Sequence, residues 1–347
     1  MKRYLFYISE NYAFQVLRPL QEEIHKRGGE VAWFIEGNGV NRSYLQHEEK
    51  ELSSVDDVID YQPVAVFAPG NNIPSFIPGI KVSIFHGFVG SKVRKKDNVN
   101  YHFIIRDCFD LYCTHGPSST LPFKVLEEKH KHFKVIETGY CKMDPYYAPG
   151  DVQIKTASLP TILFSSTFSP RMTKAPILLE TIKTLSLQKK WQWLVTFHPK
   201  MDKATVDAYK AIQHEYLTFI ETDDLTATMQ QADIMLGDNS SMIVDFLLLQ
   251  KPVVTFDNED PKPYFVNITD TAKIEQSIEY TLSKPAELLS KILDFAKETH
   301  PYTDGKSSAR VLDAVDDMLD NNYPLKKKPW NIIRNLKMRK KLGYWKY

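Results

Sequence analysis

The 347-residue chain is too long for one ordinary hydrophobic core and suits two domains of common size. With 43% apolar and 25% charged residues it can bury a core in each half, which excludes a chain disordered throughout. A formal net charge of +1 excludes the basic excess of a dedicated nucleic-acid binder, so no nucleic acid is expected as partner.

Short apolar runs alternate with helical spacing from the start. Residues 4–8 read as a buried strand, and residues 12–27 as a helix through Phe14, Val16, Leu17, Leu20 and Ile24, stopped by Gly28-Gly29. Residues 31–35, 64–67, 82–85, 111–113 and 133–136 are further strands, with a helix between the last two. These runs are continuously apolar rather than alternating, which indicates strands buried on both faces, as in a parallel sheet. A turn-rich seam at 146–151 follows. The alternation then restarts: strands at 162–164, 193–197, 217–220, 234–236 and 253–256, helices at 177–187, 225–231 and 242–249, and closing helices at 286–296 and 309–319. Two successive βαβα runs predict an α/β chain of two doubly wound, Rossmann-like domains, at 1–150 and 151–325, with a basic tail at 326–347. Ligands of such folds sit beyond the carboxyl ends of the strands, and two facing domains would put the site in the cleft between them.

Cys108, Cys113 and Cys141 lack zinc-ligand spacing and suit a reducing compartment. The first apolar run is too short for a signal peptide, and no stretch approaches a spanning helix. A cytoplasmic location is expected, in which the three glycosylation-like tripeptides at Asn41, Asn239 and Asn267 carry no meaning.

Four constellations stand at strand ends. His86, in Phe85-His86-Gly87, has Gly87 for a tight turn and Lys92, Arg94, Lys95 and Lys96 behind it, a setting for proton transfer beside an anion. His198, in His198-Pro199-Lys200, ends the strand after Trp193. Asp238-Asn239-Ser240-Ser241 joins a strand to a helix start, where free N–H groups, the dipole and two hydroxyls make a phosphate cradle. Ser165-Ser166-Thr167-Phe168, with Arg171 close behind, offers more donors. Against each stands a plain structural role: a histidine in a turn, an ordinary helix cap, a polar loop. The metalloprotease HExxH, the GxSxG elbow, GxGxxG and the Walker lysine loop are all missing, so neither a metal nor a cofactor is expected.

Taken in order, these pieces resemble the CDP-glycerol glycerophosphotransferase family of teichoic-acid primases and polymerases. They are Phe85-His86-Gly87, Gly139 to Asp144, Ser166-Thr167-Phe168, His198-Pro199, and Asp238 to Phe246 followed by Lys251-Pro252-Val253-Val254. Here Phe88 to Ser91 intervene before Lys92 where the family has Thr and then a nearby Lys, and Cys141 replaces the more usual Pro. The resemblance implies a GT-B fold and transfer of glycerol phosphate or ribitol phosphate from a CDP-polyol to a hydroxyl of a surface glycan or lipid-linked acceptor, releasing CMP. It implies an acceptor-side first domain with His86 as base, and a donor-side second domain. There His198 with Ser166, Thr167, Arg171, Asp238, Asn239, Ser240 and Ser241 would hold the donor, and Gly87 would lie beside the phosphates. The competing enzymatic reading is a GT-B glycosyltransferase using a nucleotide sugar for surface polysaccharide; a catalytically dead binding module is the alternative outside enzymes. The tail sets Lys326–Lys328, Arg334, Lys337, Arg339–Lys341 and Lys346 among Trp330, Ile332, Ile333, Leu336, Leu342 and Trp345. It reads either as a segment at an anionic membrane surface on the cytoplasmic side or as a helix crossing back onto the first domain.

Overall fold

The computed structural model describes residues 1–37, 39–90, 92–147, 159–222, 225–321 and 323–346. The chain forms two compact units, Met1–Tyr147 with Glu298–Tyr347, and Ala148–Lys297. The seam expected at 146–151 falls mostly outside the described residues.

The first unit opens with β1 (Arg3–Ile8), α1 (Ala13–Lys26), β2 (Glu30–Ile35), α2 (Val55–Tyr61), β3 (Ala65–Ala68) and β4 (Ile80–Ser83). A small antiparallel hairpin, β5 (Val93–Arg94) and β6 (Val99–Asn100), leads to β7 (Leu111–Thr114), α3 (Pro117–His130), β8 (Lys134–Glu137) and α4 (Asp144–Tyr147). Its main sheet runs β2-β1-β3-β4-β7-β8, parallel throughout, with Leu5 opposite both Ala32 and Val66. The strands are apolar on both sides because helices cover both faces; Leu5, Phe6, Trp33, Val66 and Phe67 are fully buried.

The second unit repeats the pattern: β9 (Thr161–Ser166), α5 (Ala175–Leu187), β10 (Gln192–Phe197), α6 (Lys203–Ala211), β11 (Leu217–Phe219), α7 (Thr226–Gln231), β12 (Ile234–Gly237), α8 (Met242–Leu248), β13 (Val253–Phe256), β14 (Val266–Ile268), α9 (Ile274–Leu282) and α10 (Ala286–Thr299). Its parallel sheet runs β11-β10-β9-β12-β13-β14, with Leu163 opposite Leu194 on one side and Met235 on the other. The order reverses direction at β9, the point beside which such sheets bind ligands.

The chain then returns to the first unit through α11 (Ser307–Asp320) and α12 (Ile332–Leu342). The sequence reading carried the second domain on to residue 325, whereas the structure groups residues 298–347 with the first unit. The reason lies in Gly139 to Asp144. The Asp144 carboxylate accepts the N–H groups of Ser307 at 2.8 Å and Ser308 at 2.7 Å, capping α11 from another part of the chain. Gly139 has φ +83°, and a Cβ there would lie 2.5 Å from Ser307 Oγ, so only glycine permits the approach. Arg27 and Lys2 hold the outer face of α11 by ion pairs to Asp313 and Asp316, each at 2.7 Å.

The tail packs onto this unit. Met338, Leu342 and Tyr344 join its core, and Tyr344 stacks on Phe76 with centroids 5.0 Å apart. Lys341 pairs with buried Glu36 at 2.5 Å and Lys346 with Asp56 at 2.8 Å. Trp330, Ile332 and Ile333 stay 82%, 61% and 73% exposed. Among the described residues no helix is long and apolar enough to cross a membrane.

Candidate functional site

His86 stands just past the carboxyl end of β4. The expectation that Gly87 makes the turn is corrected: the left-handed residue is Phe85, at φ +55°, and the space a Gly87 side chain would take is open. An aromatic residue there is uncommon and strained, and it is held by stacking of Phe85 on His102 with centroids 4.7 Å apart. The turn leaves His86 exposed, with its ring stacked on Tyr12 at 4.9 Å and Nδ1 3.0 Å from the carbonyl oxygen of Pro69. A carbonyl can only accept, so Nδ1 carries the proton. Nε2 of the neutral ring then keeps a free lone pair.

His198 stands just past the carboxyl end of β10, against Phe168 with ring centroids 4.5 Å apart. Its Nδ1 accepts the backbone N–H of Lys200 at 3.0 Å. In the neutral ring Nε2 is therefore the protonated nitrogen, a donor. Partial desolvation, and then the Lys200 cation, hold its pKa below the ordinary histidine value and favour that neutral ring.

The other predicted residues of the second unit gather on the same sheet edge, at the ends of neighbouring strands β9 and β12. They divide into two sets. Asp238 is fully buried and its carboxylate accepts from the Ser166 hydroxyl, from the backbone N–H of Thr167 and of Lys174 at 2.9 Å each, and from Asn239 N–H at 2.5 Å. Ser166 is also buried and shares its hydroxyl with Thr173 at 2.8 Å. Asp238 and Ser166, expected at the donor phosphates, are thus spent on shaping the loop from β9 to α5. A buried carboxylate would moreover repel a phosphate. Asn239 bridges loops as well, donating to Met172 O at 3.3 Å and accepting Glu259 N–H at 2.9 Å.

The remaining groups face water. Ser240 Oγ accepts Met242 N–H at 3.3 Å, capping α8, while the Ser241 side chain is exposed and caps nothing. Thr167 is half-buried, and Arg171 is exposed with no ion-pair partner among the described residues. Lys251, part of the sequence motif, is structural: its ammonium donates to Met229 O, Gln230 O and Ala232 O at 2.9, 2.5 and 2.8 Å, closing the end of α7.

The sequence reading missed a polar pocket of about 170 Å³ on the first unit. Ser9, Glu36 and Gly70-Asn71-Asn72, just past β1, β2 and β3, line it, with Lys341 of the tail alongside. It shares the loop after β3 with Pro69, the residue that orients His86. Glu36 carries a strand-end signal like that of the histidines, but Lys341 is remote in sequence and nothing local announced the pair.

Three shielded histidines lie near His86 in this unit, His115 and His300 buried and His102 half-buried. Burial holds the pKa of His102 and of His300 down to about 4 each, and that of His115 well below the ordinary value. They remain neutral structural rings at neutral pH.

No protein of curated function matches the chain in sequence at a significant level. Among solved structures, a variant of the wall teichoic acid polymerase TagF soaked with CDPG superposes with a TM-score of 0.64 at 13% identity, over 92% of this chain and 89% of that one. MnaA of S. aureus, in a co-structure with UDP, gives 0.61 at 13% identity over 95% and 100%. A UDP-N-acetylglucosamine 2-epimerase gives 0.56 at 12% over 95% and 99%. At such identities the likeness speaks for the fold alone, two Rossmann-like domains of the GT-B type. Residues 123–317, more than half of the chain, match the family described as CDP-glycerol:poly(glycerophosphate) glycerophosphotransferase; the match takes in His198 and the 238–241 turn and begins after His86. The chain therefore belongs to the CDP-glycerol:poly(glycerophosphate) glycerophosphotransferase family and is an enzyme of that kind.

Proposed function

We propose that this enzyme moves a polyol phosphate, glycerol phosphate or ribitol phosphate, from a CDP-polyol to a hydroxyl of a surface glycan or polymer and releases CMP. The observation that carries the assignment of roles is the opposite protonation of two strand-end histidines. His86 presents a lone pair at Nε2 and His198 presents an N–H at Nε2. The first suits a base and the second suits a phosphate contact.

In the reaction the acceptor oxygen attacks the donor phosphorus that bears the polyol, and Nε2 of His86 takes the hydroxyl proton. The bond from that phosphorus to the oxygen of CMP breaks, and CMP leaves with its electron pair. Charge on the transferring phosphoryl needs donors fixed in advance. His198 Nε2–H, the Arg171 guanidinium, Thr167 and the hydroxyls of Ser240 and Ser241 are proposed for that task, Asp238 holding in shape the loop that carries Thr167 and Arg171. The pocket beside Ser9, Glu36 and Asn71 is rich in groups that bind hydroxyls and is proposed for the acceptor.

Product identity tests the reading. The chain incubated with CDP-glycerol and a poly(glycerol phosphate) acceptor should release CMP in step with polymer growth, and CDP-linked donors should raise its melting temperature. Stabilisation and turnover by a UDP-sugar instead, releasing UDP, would favour the glycosyltransferase reading.

We also propose that the tail meets an anionic membrane surface. Support comes from exposed Trp330, Ile332 and Ile333 beside a run of cations in a helix whose other residues, Met338 and Leu342, are engaged with the core.

A further inference from the structure

Away from the sheet edge that carries His86, the first unit brings together Asp107, His130 and His132, whose ligand atoms all lie within 4.8 Å of one another. Their arrangement has a local cause. His130 is the last residue of α3, and Lys131 follows in the left-handed conformation at φ +62°. That turn swings His132 back beside His130, their ring centroids 5.5 Å apart. Asp107 also adopts positive φ, +54°, in the loop before β7.

Two observations argue against a plain hydrogen-bonded cluster. His132 is 4% exposed, and its Nε2 lies 3.1 Å from Asp107 Oδ1, yet that nitrogen makes no hydrogen bond of good geometry among the described residues. The two atoms are close but poorly aligned, an unusual state for a buried ring nitrogen. Second, His130 Nδ1 is turned to the same carboxylate oxygen at 4.0 Å. Ligands about 2.0–2.2 Å from a tetrahedral ion lie about 3.3–3.6 Å apart, and the two separations from Asp107 Oδ1, 3.1 and 4.0 Å, bracket that spacing.

We propose that Asp107, His130 and His132 bind a divalent transition-metal ion, zinc by the chemistry of the set. Two imidazoles and one carboxylate suit zinc and disfavour magnesium or calcium, which take oxygen ligands. Three protein ligands leave a fourth position for water, and partial exposure of Asp107 and His130 gives a route to it. Asn331 Nδ2, 3.5 Å from Asp107 Oδ2, would steady the carboxylate. The nearby Lys328 cation is taken up by Asp110 at 2.6 Å. The site is structural rather than catalytic. Asp107 precedes β7 and His132 precedes β8, so it lies at the amino ends of the strands, away from the edge where ligands of this fold react. Bound metal would clasp the end of α3 to the loop before β7 and, through Asn331, to the start of the tail.

Tag-free full-length protein, stripped with a chelator and dialysed, is titrated with zinc. Metal content, melting temperature and competition with a chromophoric chelator are read, and cobalt is added in parallel for its visible spectrum. One zinc per chain, a raised melting temperature and the intense visible bands of four-coordinate cobalt are expected. His130→Gln, at the most exposed ligand, and the near-isosteric Asp107→Asn should each weaken zinc binding at least tenfold and remove the cobalt bands while folding normally without metal. Wild-type protein that binds no stoichiometric zinc, or variants that bind it as tightly as wild type, would overturn the proposal.

Discussion

His86 and His198 share a side chain and differ in one hydrogen bond each. The Pro69 carbonyl puts the proton of one ring on Nδ1, and the Lys200 amide keeps it off Nδ1 in the other. That either residue ends a strand was legible in the sequence; which nitrogen it presents was not, because the deciding partner of His86 is a backbone carbonyl on a different loop. Asp238 was misread for a related reason. Sequence marks it as a polar residue at a helix start but cannot tell a carboxylate facing solvent from one buried under four donors. A direct contrast follows. Asp238→Asn sets a donor amide against those N–H groups and should destabilise the protein by about 3 kcal/mol or more, seen as a lower denaturant midpoint. Ser241→Ala should leave stability within about 0.5 kcal/mol yet weaken CDP-donor binding about tenfold, read by titration calorimetry. Unchanged affinity would make Ser241 a plain surface residue. The shielded histidines His102, His115 and His300 carry a pH signature. Their folded pKa values lie below the unfolded value near 6.5, so the unfolded chain binds more protons as pH falls. The stability they allow is whole above about pH 6.5 and is lost towards pH 4, where His102 and His300 titrate in the fold. For these two rings the slope near pH 5 reaches up to about 2.7 kcal/mol per pH unit, and His115 acts in the same direction. Replacing His300 with Gln should flatten it in urea melts taken from pH 7 to pH 4.

At the scale of elements, the strands of both sheets were readable because burial on both faces makes them continuous apolar runs. β14 was not: Val266–Ile268 is three residues long and half-buried throughout, with no run to see. The β5 and β6 strands are two residues each, with Val93 and Val99 exposed, and offer no apolar run either. α11 was recognised as a helix but assigned to the wrong unit, since its amphipathic pattern is local while its partners, Asp144 and α1, lie far back in the chain. Asp144 makes that assignment testable. It is 7% exposed and its removal leaves the Ser307 and Ser308 N–H groups without acceptors. Asp144→Ala should cost about 2–3 kcal/mol, and hydrogen exchange should show early opening of residues 307–320. Equal protection in the variant would mean that the ion pairs of Arg27 and Lys2 suffice.

For the whole molecule, the chain crosses from the first unit to the second once and returns, and the returning tail contributes Met338, Leu342 and Tyr344 to the first core. Deleting the tail would therefore damage that core and confuse any membrane assay. Trp330→Ser with Ile332→Ser and Ile333→Ser is the cleaner change, because those side chains are exposed. Sedimentation with anionic liposomes should fall at least fivefold with the melting temperature unchanged, and binding equal to wild type would refute the membrane role. The central claim is the division of labour between the histidines. It is tested most directly by single-turnover rate and CDP-glycerol dissociation constant, measured together for His86→Ala and His198→Ala. The account predicts that His86→Ala slows turnover about 10²–10⁴-fold with donor affinity nearly unchanged, while His198→Ala weakens donor binding about tenfold or more and slows the rate as well. Near-normal turnover in His86→Ala, or loss of donor binding there and not in His198→Ala, would contradict it.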